Sequence, residues 1–281
     1  MTYMELWHRL TAVYDAGEAK AVARMVLQTR FQLSMTDILI GKDTQLSASD
    51  QEELEKISLR LLRGEPVQYV LGRAEFGGRW FRVEPGVLIP RPETYELCQW
   101  IMRSERRRTK RDRLRILDVG TGSGCIACTL AAELPQAAVT AWDISEQALI
   151  VARDNAARLG VKVAFERQDA LSPPDNHQHW DVIVSNPPYV CESEKAQMAR
   201  NVLDHEPAEA LFVPDDDPLR FYTAIGRYAL QALKPGGYAL FEINAMLADD
   251  TRNELRHLGF GHIRLMKDQF GKDRFILAAE H

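Results

Sequence analysis

The chain has 281 residues, 46% of them hydrophobic and 27% charged, with a formal net charge of −5. That balance supports a folded protein with a substantial core and argues against one built to coat nucleic acid, which carries a basic excess. No apolar run approaches the ~18 residues that a membrane helix needs, and the N-terminus lacks the basic start and apolar stretch of a secretory signal. The four scattered cysteines, Cys98, Cys125, Cys128 and Cys191, are too few for a disulfide framework. The expectations are a cytoplasmic location, no membrane association, no stable nucleic-acid binding and a monomer.

Residues 1–66 read as a helical domain. Leu6, Leu10, Val13 and Tyr14 share a helical face; Val22 and Val26 mark a second helix; Leu54, Ile57 and Leu61 mark a third. Asp50 is placed to cap that third helix, with Glu53 as the reciprocal partner. Residues 67–90 change character. The aromatic and β-branched stretch around Gly77-Gly78 predicts a hairpin that links the helical domain to a second domain, residues 91–281. Pro92 opens a helix. The basic stretch Arg103–Arg113 reads as a solvated loop.

From Leu114 onward, apolar runs at 114–119, 137–142, 162–166, 181–185 and 237–243 alternate with helical stretches at 123–134, 145–159 and 218–233. Such alternation predicts a mostly parallel sheet with helices on both faces. The closely spaced runs Ile263–Leu265 and Arg274–Leu277 pair most easily as an antiparallel hairpin. A parallel sheet finished in this way is the seven-stranded, Rossmann-like α/β sheet of class I methyltransferases.

Ile116-Leu117-Asp118-Val119 runs into Gly120-Thr121-Gly122-Ser123-Gly124. Glycines here permit positive φ and close approach of a ligand to the backbone. A dinucleotide fingerprint would want its third glycine at position 125, where this chain has Cys125. The observed spacing suits a ligand without a pyrophosphate. Asp118 offers a carboxylate for an ammonium group. Asp143, closing the next strand, can accept both ribose hydroxyls. Asp169 is placed for the adenine amino group, with Ala170 beside the ring. Together these residues point to S-adenosylmethionine, leaving as S-adenosylhomocysteine. Cys125 and Cys128 have the spacing of a metal or redox pair, but no second Cys/His pair completes a site, so they read as small buried thiols and no metal is expected.

Asn186-Pro187-Pro188-Tyr189 follows the apolar strand 182–185. Ligands of open α/β sheets bind at the carboxyl ends of strands, so Asn186 should face the methyl donor. A carboxamide nitrogen is a poor nucleophile, and its two hydrogens need acceptors that fix them. The Asn186 side-chain oxygen and the Pro187 carbonyl suit that task, Pro188 stiffens the segment, and Tyr189 can pack on a flat amide. The motif fits planar exocyclic amino groups as a class, and base amines of nucleic acid qualify as well as glutamine. A cofactor-binding module without catalysis is a further alternative, against which the intact Asn186 and Gly-rich loop speak.

The chain resembles the release factor glutamine methyltransferase family over essentially its full length. The likeness rests on Gly64–Tyr69, Ala74–Phe76, Leu88–Thr94, the Gly-rich loop, Asn186–Tyr189, Glu206–Leu211 and Gly271–Arg274. It implies that Gly120 to Gly124, Asp143, Ala170 and Asn186 contact the cofactor and that Asn186 to Tyr189 hold the substrate. It further implies that the substrate is the glutamine of the Gly-Gly-Gln motif in class I peptide chain release factors, gripped in part by the helical domain. Tyr95 and His205 depart from the family's usual residues and bear on partner contacts rather than chemistry.

Overall fold

The computed structural model describes residues 1–106, 113–175, 177 and 179–280. Residues 107–112 of the basic stretch lie outside these. The chain divides into two compact units, Met1–Arg73 with Ala199–His205, and Ala74–Met198 with Glu206–His281.

The first unit is helical: α1 (Tyr3–Leu10), α2 (Ala16–Phe31), α3 (Met35–Leu39), α4 (Ala48–Leu62) and α5 (Val67–Leu71). Leu6, Leu10, Val22, Val26, Leu27, Leu54, Ile57 and Leu61 form its core. The helices start where side chains can take up orphan backbone N–H groups. Thr2 and Glu5 form a capping box on α1, and Asp15 accepts from Gly17 and Glu18 at the start of α2. Three expectations need correction. Helix α1 stops at Leu10, so Val13 leaves the face and is exposed. The cap of α4 is Ser47, which accepts from the Asp50 N–H; Asp50 sits one turn inside the helix. The segment entering the hairpin is helix α5, ended by Gly72 at φ 68°.

At the start of the second unit, β1 (Arg73–Phe76), whose first residue still belongs to the first unit, and β2 (Arg79–Arg82) pair as the expected hairpin. Gly77 and Gly78 both have positive φ, as a tight two-residue hairpin turn demands. The ring of Tyr95 lies so close to Gly77 that a Cβ there would meet it at 2.2 Å. Then follow α6 (Pro92–Glu105), β3 (Arg115–Val119), α7 (Cys125–Glu133), β4 (Ala138–Asp143), α8 (Glu146–Leu159), β5 (Val163–Arg167), β6 (Trp180–Ser185) and the two-residue β7 (Val190–Cys191). Helix α9 (Arg200–His205) groups with the first unit. The second unit is completed by β8 (Phe212–Val213), α10 (Arg220–Ala232), β9 (Leu233–Glu242), α11 (Ala248–Leu258), β10 (His262–Lys267) and β11 (Asp273–Ala279).

Seven strands form one sheet in the order β10-β11-β9-β6-β3-β4-β5. The pairs among β9, β6, β3, β4 and β5 are parallel; β11 runs antiparallel to both β9 and β10. This is the predicted seven-stranded architecture. The central strands β3, β6 and β9 are covered on both faces and read as continuous apolar runs, whereas the edge strands β5 and β10 are half-exposed. Ile116, Val182, Val184 and Leu240 pack with Leu97, Ile101 and Ile126 on one face, while Leu117, Val119, Ile183 and Phe241 pack with Tyr222, Tyr228 and Leu255 on the other. From β3 the chain first builds outward through β4 and β5, then returns to place β6 on the opposite side of β3. The strand order reverses at β3, and open sheets bind their ligands at such a point.

Candidate active site

A cavity of about 290 Å³ opens at the carboxyl ends of β3, β4 and β6, within the second unit. Its walls come from the Gly-rich loop after β3, Asp143–Ser145 after β4, Gln168–Leu171 after β5, Asn186–Pro188 after β6, and the segments Gly86–Thr94 and Pro207–Ala210.

The Gly-rich loop is held from below. Gly120 and Thr121 both donate their N–H to the Trp142 carbonyl at 2.9 Å, and Gly122 donates to Asp143 Oδ2 at 2.8 Å. Gly120, Gly122 and Gly124 have φ of 75°, 55° and 79°. A Cβ on Gly120 or Gly122 would meet no atom within 4 Å, whereas one on Gly124 would press on Ala152 and Cys128 at 3.0–3.3 Å. The first two glycines therefore leave a space to be filled, and the third permits close packing of α7 on α8. Asn155 on α8 ties this loop to the hairpin. It accepts from Arg82 N–H at 2.7 Å and donates to the carbonyls of Arg82 and Ser123 at 3.0 and 2.9 Å. Asn155→Leu leaves those buried groups unpaired and is expected to cost about 2–4 kcal/mol in a denaturant titration.

Asp143 accepts from Gly122 through Oδ2 and from Ser145 through Oδ1. Each oxygen keeps a further lone pair. Burial raises its pKa, against those backbone bonds. Asp169 accepts the Leu171 N–H at 2.8 Å and, with Ala170, lines the cavity beside Ile144 and Ile225. Thr121 and Ser123 line it too, and the buried Ser123 Oγ has no hydrogen-bond partner. Open space over two glycines, a carboxylate with spare acceptor capacity, an orphaned hydroxyl and an apolar flank fit a ligand that carries a ribose, an adenine ring and an amino acid.

Asp118 stands behind this wall, fully buried and away from the cavity. Its Oδ2 accepts from Thr121 Oγ1 at 2.6 Å and Ala127 N–H at 3.1 Å, and its Oδ1 has no partner. Burial pushes this carboxyl up to about 7, opposed by the bonds from Thr121 and Ala127. Folding therefore raises its affinity for a proton. The associated stability is full below ~4, where the unfolded chain titrates, and is lost as pH rises through about 7. Thermal melts of ligand-free wild type should decline over that window relative to Asp118→Asn; parallel curves would remove Asp118 as the cause. Cys125 and Cys128 are buried, and burial pushes Cys125 up to about 12, so they persist as thiols.

Asn186 and the two prolines are on the cavity wall, but Tyr189 is not. Its hydroxyl is turned inward and donates to Glu242 Oε1 at 3.0 Å. Asn186 Nδ2 donates to Thr94 Oγ1 at 3.1 Å, and Thr94 Oγ1 donates to Glu242 Oε2 at 2.7 Å. Burial raises the pKa of Glu242; the bonds from Thr94 and Tyr189 and the nearby Arg274 oppose that rise. Neither Thr94 nor Glu242 was among the expected site residues. A buried acid at the end of β9 (burial of the strand was predictable, its partners were not) looks in sequence like an ordinary polar strand end. The segment Leu88–Thr94 is pinned by Glu206, which accepts from Ile89 N–H at 3.2 Å and pairs with Arg91 at 2.6 Å.

Residues 105–212 match the family model described as Methyltransferase small domain, and residues 6–72 match PrmC N-terminal domain. Fold, loop and family model together define an S-adenosylmethionine-dependent methyltransferase. The chain is 49% identical over 271 residues to the release factor glutamine methyltransferase of Bacteroides thetaiotaomicron, covering 96% of this chain and 95% of the relative. With the protein of the same name from Flavobacterium psychrophilum it shares 40% identity, over 95% of this chain and 94% of that one. The chain belongs to the release factor glutamine methyltransferase family. Its fold is shared with the hMettl16 catalytic domain, at a TM-score of 0.55 and 16% identity over 82% of each chain. Among the described residues, no helix is long and apolar enough to cross a membrane.

Proposed function

We propose that this enzyme methylates the side-chain amide nitrogen of the glutamine in the Gly-Gly-Gln motif of class I peptide chain release factors, with S-adenosylhomocysteine as the second product and no metal. The observation that carries the reading is that Asn186-Pro187-Pro188 shares one cavity with the Gly-rich loop. When bound, S-adenosylmethionine supplies an electrophilic methyl group. Gly120 to Gly124 and Ser123 receive its amino-acid part, Asp143 the ribose hydroxyls, and Asp169 and Ala170 the adenine. Asp118, set behind the loop, holds Thr121 and the start of α7 in place.

The chain's own part in the chemistry is orientation. With Asn186 Nδ2 committed to Thr94, Oδ1 is the atom that accepts one hydrogen of the substrate amide, and the Pro187 carbonyl accepts the other. These bonds hold the nitrogen lone pair on a line of attack, and a fixed approach of this kind accounts for a large part of such a barrier. The amide proton becomes acidic only as the C–N bond forms, so no base must act first. The helical unit, which matches the PrmC N-terminal model, serves recognition of the release factor.

The test is methyl transfer from labelled S-adenosylmethionine to a release factor, its Gln→Ala loop variant, DNA and RNA in parallel. Label in the wild-type factor alone supports the reading. Label in nucleic acid alone keeps the enzyme class and overturns the substrate.

A further inference from the structure

The Asn186 amide could sit in its place in two ways related by a half-turn, and only one of them presents an acceptor to the cavity. Glu242, when ionised, has acceptors only. Its two oxygens take the hydroxyl hydrogens of Thr94 at 2.7 Å and Tyr189 at 3.0 Å. Thr94 has a single hydroxyl hydrogen, so once it is given to Glu242 the oxygen can only accept from its other neighbour. That neighbour is the Asn186 side chain at 3.1 Å. A donor is required there, and Nδ2 is the only donor of the Asn186 side chain. Turning the amide over would set Oδ1 against a lone pair of Thr94 and leave two part-buried acceptors facing one another.

Glu242 is itself fixed. It is 2% exposed, lies at the end of β9 with its backbone carbonyl accepting from Tyr222 Oη at 3.1 Å, and has Arg274 nearby. Tyr189 is held at the other end, where its carbonyl accepts from Asn244 Nδ2 at 3.1 Å. The row of bonds thus runs from one end of the Asn186–Tyr189 segment to the other through a buried carboxylate on a neighbouring strand.

We infer that Thr94 and Glu242 are positioning residues that lock the Asn186 amide with its oxygen toward the substrate, through a donor-acceptor sequence only one orientation satisfies. The inference rests on the reading of Asn186 as the acceptor of the substrate amide. Thr94 lines the cavity and Glu242 does not, and in this role both act through Asn186.

The test is single-turnover methylation of a release factor by wild type, Thr94→Val, Thr94→Ser, Asn186→Ala and the double variant Thr94→Val/Asn186→Ala. Thr94→Val keeps the shape and removes the hydroxyl, and should lower the rate roughly 10- to 100-fold while KM for S-adenosylmethionine stays within about twofold. Thr94→Ser restores the hydroxyl and should recover most of the rate. In the Asn186→Ala background, Thr94→Val should cost nothing more, since the two act as a unit. A wild-type rate for Thr94→Val, or losses that multiply in the double variant, would overturn the inference while leaving Asn186 in its role. Full activity of Asn186→Ala would overturn the underlying reading and the inference together. Should Thr94→Val fail to fold, Thr94→Ala carries the same comparison, because it too removes the hydroxyl that stands between Glu242 and Asn186.

Discussion

Asn186→Ala is expected to reduce kcat by about 10²–10³-fold, the cost typical of deleting one preorganised polar contact to a reacting group. The affinity for S-adenosylmethionine should change far less, because Asp143, Asp169 and the Gly-rich loop line the rest of the cavity. Stability should hardly move: the side chain makes one hydrogen bond, to Thr94, and is partly exposed. Quench-flow or single-turnover kinetics, with cofactor binding measured separately by calorimetry, separates these quantities. A loss of cofactor affinity as large as the loss of rate would mean that Asn186 serves binding rather than orientation.

The second large effect comes from two glycines only two positions apart. Gly122 and Gly124 both have positive φ, so alanine at either carries a backbone cost of about 1 kcal/mol. Beyond that they diverge. The Cβ of Gly122→Ala enters the open space of the cavity, where it should weaken cofactor binding at least roughly tenfold by displacing contacts while the protein stays folded. The Cβ of Gly124→Ala meets Ala152 Cβ at 3.0 Å and Cα at 3.2 Å. That contact forces α7 and α8 apart and should cost a further ~1–3 kcal/mol of overpacking. Calorimetric titration and thermal melts of both variants check the contrast. Equal loss of affinity at equal stability would sink the assignment of one glycine to the ligand and the other to packing.

The sheet was legible because its central strands are buried on both faces and therefore stand out as apolar runs separated by helical ones, and the closing hairpin stood out by the closeness of its two runs. The Gly-rich loop and Asn186–Pro188 were legible because a strand followed directly by glycine or proline leaves few other structures. What escaped was decided by neighbours remote in sequence. Tyr189 seemed free to cover a substrate, yet its hydroxyl is taken by Glu242. The carboxylate of Asp118 was expected to face a ligand, yet the loop that follows it folds over the top and leaves it buried. Helix α5 escaped because Val67, Tyr69 and Val70 have strand-like composition, although Pro66 ahead of it and Gly72 behind it are ordinary helix boundaries. The cap of α4 was misplaced because Ser47 and Asp50 are both good caps, and only the true first turn tells which of them faces free N–H groups.

The bonds that finish the site bridge very long stretches of chain. Asn186 and Thr94 are 92 positions apart, Arg91 and Glu206 115, and Thr94 and Glu242 148. Contacts between such distant partners carry the largest loop-closure entropy and form after local ones. On refolding, helical signal and even the β10–β11 hairpin should return well before methyl transfer does. The competent enzyme is thus the last species on its own folding route, and a kinetic lag between circular dichroism and activity is the mark it should leave.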